Sequence, residues 1–371
     1  MPLSAPLIVD CHLDLAWNAL GYKRDLTLPL AELNRTEHGL GDHSGRGLAT
    51  VTLPEMRAGG VGLCLATLIA RTPVGETAIH GNLLDYPTPA AAAAAASGQL
   101  AWYRALEEAG EVALLAFAGA VSAHAERWRG GNERRVGIVL AMEGSDPIIS
   151  PEHVQRWHDA GLRVASLVHY GLGRYAGGTG TDGGVTPAGR TLLAAFEQAG
   201  LILDVTHLSD RAFYQAIDRY AGPVLASHQN CRALVSGGRQ FTDDQLRLVL
   251  ERGGIVAVSC DAWMLHPGWV RGETSAHLVP ISALADHVDH ICQLAGNARQ
   301  AAVGSDLDGG FGSDQTPREL TSIADLGRLA PILADRGYTG EQVAGVLADN
   351  ALRFLTTHLP AANLPAPTAL V

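Results

Sequence analysis

His12 and Asp14, two residue types that bind metal ions, stand two positions apart at the end of the apolar run 6–11. Residues i and i+2 of a β-strand project from the same face, so both side chains can reach one ion above the strand end. A two-residue pattern of this kind also occurs by chance. Its weight therefore depends on whether other apolar runs in the chain end in the same way.

Other apolar runs do end in a histidine or a carboxylate, and these residues are Glu143, His169, His207, His228 and Asp306. Each alone has an ordinary explanation, since such a histidine is commonly structural and such an aspartate commonly forms a turn or a helix cap. Together they favour a metal site, because imidazole and carboxylate ligands without thiolate suit zinc in a catalytic centre. The supply of ligands exceeds the need of one tetrahedral ion, which indicates two ions that share a carboxylate.

The elements that must position these residues are short apolar runs, most of them followed by a helical pattern. The runs span residues 7–11, 61–70, 136–142, 162–168, 201–205, 223–226, 254–259 and 301–304. Several are continuous in Val, Ile, Leu and Ala, as is typical of parallel strands buried on both faces. They predict an α/β protein with a (β/α)8 TIM barrel, in which active sites lie at the C-terminal strand ends. The alternative is an open doubly wound sheet, but no glycine-rich nucleotide-binding motif follows the first strand.

Several helices have recognisable start signals. Thr242–Gln245 and Thr339–Gln342 predict capping boxes, in which the Thr and Gln side chains bond reciprocally to backbone N–H groups. Ser150 precedes a proline suited to the first helical position. The alanine-rich stretch 90–96 and the stretch 99–109 after it predict helix with no binding role.

Two long irregular stretches, 21–48 and 71–88, follow strands on the presumed C-terminal face. Long loops on that face are where such barrels build substrate sites. No Ser/Pro-rich linker divides the chain, so a single barrel domain over residues 1–371 is expected.

The composition excludes some classes of protein. With 47% hydrophobic and 18% charged residues, the chain has ample material for a large core. Its net charge of −11 argues against a nucleic-acid partner, which needs a basic face. The five cysteines lack paired spacing and are expected to be reduced thiols. No signal peptide or membrane-length apolar stretch is visible, so a cytoplasmic protein without a membrane partner is expected.

At its strand-end motifs the chain resembles the membrane (renal) dipeptidase family, which comprises binuclear zinc dipeptidases of the amidohydrolase-like TIM barrels. The similarity covers nearly the whole length and agrees in order, spacing and strand context. Its specific segments are VDCHLD at 9–14, AMEG at 141–144, LVH at 167–169, GVTPAG at 184–189, LDVTH at 203–207, SHQNCR at 227–232 and GSDLDG at 304–309.

This resemblance implies a cofactor of two zinc ions per chain. His12 and Asp14 would bind one ion. His207 and His228 would bind the other, and Glu143 would bridge the two. Two zinc ions close together lower the pKa of a shared water, so that hydroxide becomes available at neutral pH.

The resemblance also implies hydrolysis of dipeptides by that metal-bridging hydroxide, on L-Xaa-D-Xaa as well as L,L substrates. Asp306 would act as the acid/base and His169 would stabilise the oxyanion at the substrate carbonyl. Arg239 would bind the free carboxylate of the substrate, which selects dipeptides over longer peptides. Tyr170 would contact the substrate from the loop after His169, as would Arg174 and Tyr175.

The chain departs from the family pattern at two places. Leu13 stands where the family commonly has Asn between its first His and Asp, and its side chain is expected to point away from the metal ions. The glycine-rich stretch 171–184 also differs, which leaves the substrate preference open. The alternatives are an amidohydrolase for N-acyl amino acids, cyclic amides or β-lactams, and a non-catalytic member of the family. A homodimer is an expected partner state.

The remaining polar candidates are interpreted as structural. His287 and His290 lie three apart on a predicted helix, before the last strand, and are expected to face solvent. Asp308 is expected to form the loop after Asp306. A solvent-facing role is also predicted for His38, His43, His80, His153, His158 and His266.

Overall fold

The computed structural model describes residues 6–74 and 83–361, and within them nine parallel strands form one sheet. The strands are β1 (Ile8–Leu13), β2 (Val61–Leu68), β3 (Val112–Leu114), β4 (Val136–Met142), β5 (Leu162–Ser166), β6 (Ile202–Asp204), β7 (Val224–Leu225), β8 (Val256–Val258) and β9 (Ala301–Val303). Eight of them follow the order β7-β6-β5-β4-β2-β1-β9-β8, and β3 pairs with β4 outside that path. A parallel bridge between Ala226 and Val256 joins the two ends of the path and closes a barrel.

This barrel confirms the predicted (β/α)8 fold, since all eight apolar runs form its strands. Their ends shift by a few residues. β1 extends to Leu13, so His12 lies within the strand and not beyond it. The short strand β3 was not predicted, because three residues are too few to show a periodic pattern.

Helices alternate with the strands. They are α1 (Leu15–Gly21), α2 (Leu30–Thr36), α3 (Leu53–Ala58), α4 (Pro89–Glu108), α5 (Ala118–Arg129), α6 (Val154–Asp159), α7 (Pro187–Ala199), α8 (Asp210–Arg219), α9 (Asp243–Glu251), α10 (Ala262–Leu265), α11 (Ser282–Ala295), α12 (Leu329–Asp335), α13 (Gly340–Ala344) and α14 (Asn350–His358). Short 3-10 turns cover Pro151–His153, Ala276–Leu278, Ser313–Gln315 and Ile323–Arg328, and Gly345–Asp349 forms a π-turn.

The predicted start signals mostly act as expected. Both capping boxes form, at Thr242 before α9 and at Thr339 before α13. The alanine-rich stretch and its continuation are one helix, α4, which Thr88 caps. At Ser150 the prediction is only partly right, because a 3-10 turn begins there but the serine side chain makes no capping hydrogen bond.

The strands are buried on both faces, as predicted for parallel strands. Cys64, Ala66 and Leu68 of β2 belong to one hydrophobic cluster, while Leu63 and Leu65 pack in a second cluster on the other face. Such two-sided burial leaves polar side chains room mainly at the strand ends.

The two long stretches predicted to be irregular lie only partly within loops that the structure describes. The stretch 21–48 is not wholly irregular, since it contains α2. Part of the stretch 71–88, with His80, lies outside the described residues.

All five cysteines are free, as predicted. In the portion of the chain that the structure describes, no helix is both long and apolar enough to cross a membrane.

Candidate metal centre

The C-terminal strand ends bring the predicted metal and catalytic residues to one face of the barrel. His12 lies near the end of β1, Asp14 directly follows that strand, and Glu143 directly follows β4. Four others each stand at the third residue beyond a strand, namely His169 after β5, His207 after β6, His228 after β7 and Asp306 after β9.

One candidate ligand group consists of His12, Asp14 and Glu143, all buried. The Nε2 atom of His12 lies 3.8 Å from Asp14 Oδ1 and 3.7 Å from Glu143 Oε1. Asp14 is held in place by the hydroxyl of Thr67, which donates a hydrogen bond to Oδ1. Leu13, between the two predicted ligands, is fully buried in the hydrophobic core and points away from them, as expected.

A second candidate group consists of Glu143, His207 and His228. Glu143 Oε1 lies 3.0 Å from His207 Nε2 and 3.5 Å from His228 Nε2, and the two Nε2 atoms are 2.9 Å apart. The same carboxylate oxygen thus faces both groups. This is the arrangement that a shared ligand between two ions requires.

Asp306 lies beside the first group, with Oδ1 3.8 Å from His12 Nε2, and forms a third candidate group with His12 and His228. Its backbone is left-handed, with φ of 58°, a conformation uncommon for a residue other than glycine. Asp306 is therefore placed to exchange a proton with a group bound among these ligands.

Hydroxyl groups orient the three histidines of these groups. Ser227 Oγ lies 2.9 Å from His228 Nδ1 and 3.3 Å from His12 Nδ1, and it donates to Asp204 Oδ2. Thr179 Oγ1 lies 3.0 Å from His207 Nδ1 and donates to the His207 carbonyl. Each hydroxyl has another acceptor for its own proton, so its oxygen can accept from an Nδ1–H group, and Nε2 then carries the lone pair that a metal ion needs.

His169 also faces the centre, with Nε2 3.8 Å from Glu143 Oε1. Tyr170 is 42% exposed, and its ring centroid lies 4.8 Å from that of His169 and 5.0 Å from that of His207. These positions suit the predicted contacts with a substrate. Tyr175 does not, because it is buried and donates its hydroxyl to the Ile148 carbonyl.

Arg239 is a buried residue and not a solvated loop arginine. It is 4% exposed, Nη1 donates to Gln229 Oε1 at 2.7 Å, and Nη2 donates to the His228 carbonyl at 2.8 Å. This anchoring fixes the guanidinium beside the predicted metal ligands. Its remaining N–H groups are the natural partners of an anion.

Two rim residues were missed in the sequence. Arg71 follows β2, and its Nη1 lies 3.2 Å from His169 Nδ1. Asp261 follows β8, where it is buried and accepts from Gln315 Nε2 at 2.8 Å. With them, every strand of the barrel supplies a charged or imidazole residue. The strand-end rule, which sought histidines and carboxylates, covers Asp261 but not Arg71.

Burial sets the charge states of the centre. It lowers the pKa of His12 to about 3, and the charge of Arg239 acts in the same direction. It raises the pKa of Glu143 well above its usual range, with contributions from the charges of Asp14 and Asp306. Burial also raises the pKa of Asp14 to about 6. The imidazoles are therefore neutral, as metal ligands must be, and the crowding of buried carboxylates favours a cation among them.

The other predicted positions have structural roles. Asp308 is buried and its carboxylate accepts from Thr50, which agrees with a loop-forming residue. The prediction for His287 was wrong, because its side chain is 1% exposed and Nδ1 accepts from the Cys231 N–H at 3.0 Å. His158 is likewise buried and not solvated.

A model of the membrane dipeptidase family (peptidase family M19) matches residues 3–366. The chain belongs to this family. The dipeptidase aclJ of Aspergillus oryzae is 30% identical over 226 residues, 60% of this chain and 51% of that protein. A Klebsiella pneumoniae protein described as uncharacterised, in the pqqA 5′ region, is 31% identical over 243 residues, 63% of this chain and 86% of that protein. The chain spans about half the length of the fungal relatives that it matches.

Several solved structures have the same fold as this chain. A metallopeptidase of Rhodobacter sphaeroides, liganded with a phosphinate mimic of the dipeptide L-Ala-D-Ala, has a TM-score of 0.74 at 23% identity over 96% of this chain and 99% of that one. The probable dipeptidase PvdM of Pseudomonas aeruginosa has a TM-score of 0.71 at 17% identity over 95% of both chains.

The metal that the membrane dipeptidase family implies fits the residues on the rim. His12 Nε2 is buried and has no hydrogen-bond partner among residues 6–74 and 83–361, although it lies within 4 Å of Asp14 and Glu143 carboxylate oxygens. A buried polar atom without a partner is costly unless something absent from the protein atoms satisfies it. The nitrogen and oxygen donors around it are those that a zinc-like divalent ion prefers.

Proposed function

We propose that this chain is a dipeptidase that holds two zinc ions, one at His12 and Asp14 and the other at His207 and His228. The observation that carries the proposal is the position of Glu143, whose Oε1 atom faces both pairs and lies 3.0 to 3.7 Å from their histidine nitrogens. One carboxylate between two sets of ligands suits a bridged pair of ions, and the family match supplies the metallopeptidase context.

The residues around the centre divide the chemical work. When bound, two zinc ions supply Lewis acidity and a water activated near neutral pH. Asp306 accepts the proton of the nucleophile at its carboxylate and passes it to the leaving amine. His169 donates from Nε2 to the oxygen of the reacting carbonyl as negative charge develops there. Removal of such a donor typically slows a reaction by about 100- to 1000-fold.

Arg239 sets the length of the substrate. Its guanidinium is fixed by Gln229 and by the His228 carbonyl, so its free N–H groups bind a carboxylate at one defined distance from the metal ligands. A dipeptide places its terminal carboxylate there, whereas a longer peptide does not. Tyr170 covers the site from the loop after His169 and contacts the bound substrate.

We propose that both L,L and L-Xaa-D-Xaa dipeptides are substrates. The structural neighbour from Rhodobacter sphaeroides was liganded with a mimic of L-Ala-D-Ala, which supports acceptance of a D-residue. The free thiols support a cytoplasmic location. The homodimer stays a prediction from the family resemblance.

Two measurements on the purified protein test the proposed function. Elemental analysis is expected to give close to two zinc ions per chain, and a metal-free but active protein would contradict it. A library of L,L and L,D dipeptides is then compared with N-acyl amino acids, cyclic amides and β-lactams. Turnover of dipeptides supports the proposal. If only the other amides are hydrolysed, the proposed dipeptidase activity is wrong and the centre is that of an amidohydrolase.

A further inference from the structure

Arg71 contacts His169 and is firmly anchored. His169 belongs to the cluster of rim histidines that also contains His12, His207 and His228. Nη1 of Arg71 lies 3.2 Å from His169 Nδ1, and its Nε and Nη2 atoms lie 2.7 and 2.6 Å from Asp85 Oδ1. Its backbone N–H and carbonyl also bond to Leu84 and Tyr86. The guanidinium therefore has one defined position against the His169 ring.

This contact determines which nitrogen of His169 carries the proton. A guanidinium has five N–H donors and no acceptor, and it stays charged at any pH relevant to proteins. Arg71 can therefore only donate to His169, and Nδ1 must accept. The neutral ring then carries its proton on Nε2, the atom that faces Glu143.

The other three histidines of the cluster have the opposite arrangement. Ser227 Oγ and Thr179 Oγ1 can accept from their Nδ1–H groups, because each hydroxyl has another acceptor for its own proton. Their Nε2 atoms present lone pairs, which a metal ion needs. Nε2 of His169 presents a hydrogen instead. Among the described residues, the groups whose possible ligand atoms lie close enough to share one ion do not include His169.

We propose that Arg71 is a positioning residue that holds His169 as the Nε2–H tautomer, so that this histidine donates to the substrate and does not bind metal. The inference rests on the proposed dipeptide hydrolysis for its kinetic consequence alone. One donor at Nδ1 thus gives the His169 imidazole a different role from that of the neighbouring histidines.

The direct test is the imidazole nitrogen spectrum of zinc-loaded protein labelled with ¹⁵N-histidine, in which His169→Gln identifies the His169 signals. The wild-type protein and Arg71→Lys, which keeps a donor-only cation, are expected to show the proton on Nε2. Arg71→Met is expected to lose that preference. A proton on Nδ1 of His169 in the wild-type protein overturns the proposal.

A double-mutant cycle separates action through His169 from direct substrate binding. Arg71→Met is expected to lower kcat by about 10- to 100-fold, with KM little changed. This loss is smaller than the loss expected when the oxyanion donor itself is removed. Arg71→Met combined with His169→Gln is expected to be no slower than His169→Gln alone. Additive losses, or a raised KM with unchanged kcat, contradict the proposal.

Controls keep these outcomes distinct. Arg336→Met removes another arginine–aspartate pair, with Asp289 of α11, and is expected to keep full activity. Metal content and melting temperature identify a variant that fails to fold, in which case Arg71→Lys and the wild-type spectrum decide the question. If the wild-type protein hydrolyses no dipeptide, the proposed function fails, while the spectrum still decides the tautomer of His169.

Discussion

At the scale of single residues, unusual backbone conformations aim the side chains of the candidate site. Among the described residues, non-glycine positions with positive φ are Lys23, His207, Asp306 and Asp308. The last three lie in the turns that follow β6 and β9 on the rim. Such conformations cost about 1–3 kcal/mol each and persist where the surrounding structure fixes them. The fold thus accepts local strain at the candidate ligand His207 and the proposed acid Asp306.

Asp306→Asn is the sharpest residue-scale test of proton transfer. Asparagine tolerates the left-handed backbone and keeps the size of the side chain, but it cannot take up a proton. We expect kcat to fall by about 100- to 10,000-fold, with metal content and melting temperature unchanged. Dipeptide kinetics and metal analysis measure this, with the more exposed Asp314→Asn as the matched control. Near-normal kcat would remove Asp306 from the acid/base role.

His12→Ala and Asp14→Ala test the division of the ligands into two sets. Each variant removes a ligand of one ion, whereas Glu143, His207 and His228 still form the second group. We expect the metal content to fall from two ions to one per chain while the circular dichroism spectrum stays native. Retention of both ions would contradict the assignment. Loss of both would show that the two sites fill together.

At the scale of elements, buried polar networks hold the long loops against the strand ends. Asp308, after β9, accepts from the N–H groups of Thr50 and Val51 and pairs with Arg24 at 3.5 Å. Arg24 in turn pairs with Glu37 at 2.9 Å. The network fixes the loop after α1 to the turn that carries Asp306. Loop position and catalytic geometry are therefore coupled.

Asp308→Ala is expected to destabilise the protein by about 3 kcal/mol. The change leaves two backbone donors without an acceptor and removes one of the two acidic partners of the buried Arg24. Urea unfolding measures the effect. Asp25→Ala is the control, since Asp25 lies exposed in the same loop, where its carboxylate accepts from the N–H and hydroxyl of Thr27. Equal stability of the two variants would contradict the role of the network.

His287 gives α11 a pH-dependent contact with the loop after β7. Burial, followed by the charge of His290, lowers the pKa of His287 to about 4 from an ordinary value of 6.5. Between these values the unfolded chain binds a proton that the folded chain does not. Stability is therefore expected to fall as the pH decreases from 6.5 to 4, by about 3 kcal/mol in total from this group.

The variant His287→Asn tests this contribution, because its Oδ1 atom can still accept from the Cys231 N–H but does not titrate. The free energy of unfolding, measured from pH 4 to pH 7, is expected to depend less steeply on pH in the variant. His277→Asn, at an exposed position, serves as the control. An unchanged slope in His287→Asn would show that other groups cause the acid sensitivity.

At the scale of the whole molecule, closure of the barrel creates the site. It brings His12 near Ser227, which lies 215 positions away in the chain, and it places Glu143 between ligands from three other strands. Because the carboxylates are buried together at the C-terminal end of the barrel, their ionised forms are unfavourable unless a cation binds beside them. Metal binding and the stability of the folded chain are therefore linked.

Removal of metal is expected to abolish activity without unfolding the barrel, since the hydrophobic clusters surround the strands independently of the ligands. Addition of zinc at 1000 times its dissociation constant stabilises a folded site by about 4 kcal/mol, so the melting temperature is expected to rise with zinc. Chelation, circular dichroism and re-addition of zinc measure this. A chelated protein that loses its barrel would show that the metal ions are required for folding.

The sequence by itself determined the barrel and most of the rim. Apolar runs identify buried parallel strands because burial on both faces is a local property of composition, and capping boxes identify helix starts because their bonds span three residues. The strand-end rule then found His12, Asp14 and Glu143. The rule did not find Arg71, because arginine is neither a histidine nor a carboxylate, and Asp261 was overlooked although the rule covers its residue type.

Tertiary structure decided how the rim residues are used. The sequence places four histidines at equivalent strand ends, and nothing local distinguishes His169 from His207. The difference lies in partners from distant strands, since Arg71 can only donate to His169 whereas Thr179 can accept from His207. Burial of His287 likewise depends on packing against a remote loop. Proton positions, and with them the roles of chemically identical side chains, follow from contacts that exist only once the chain has folded.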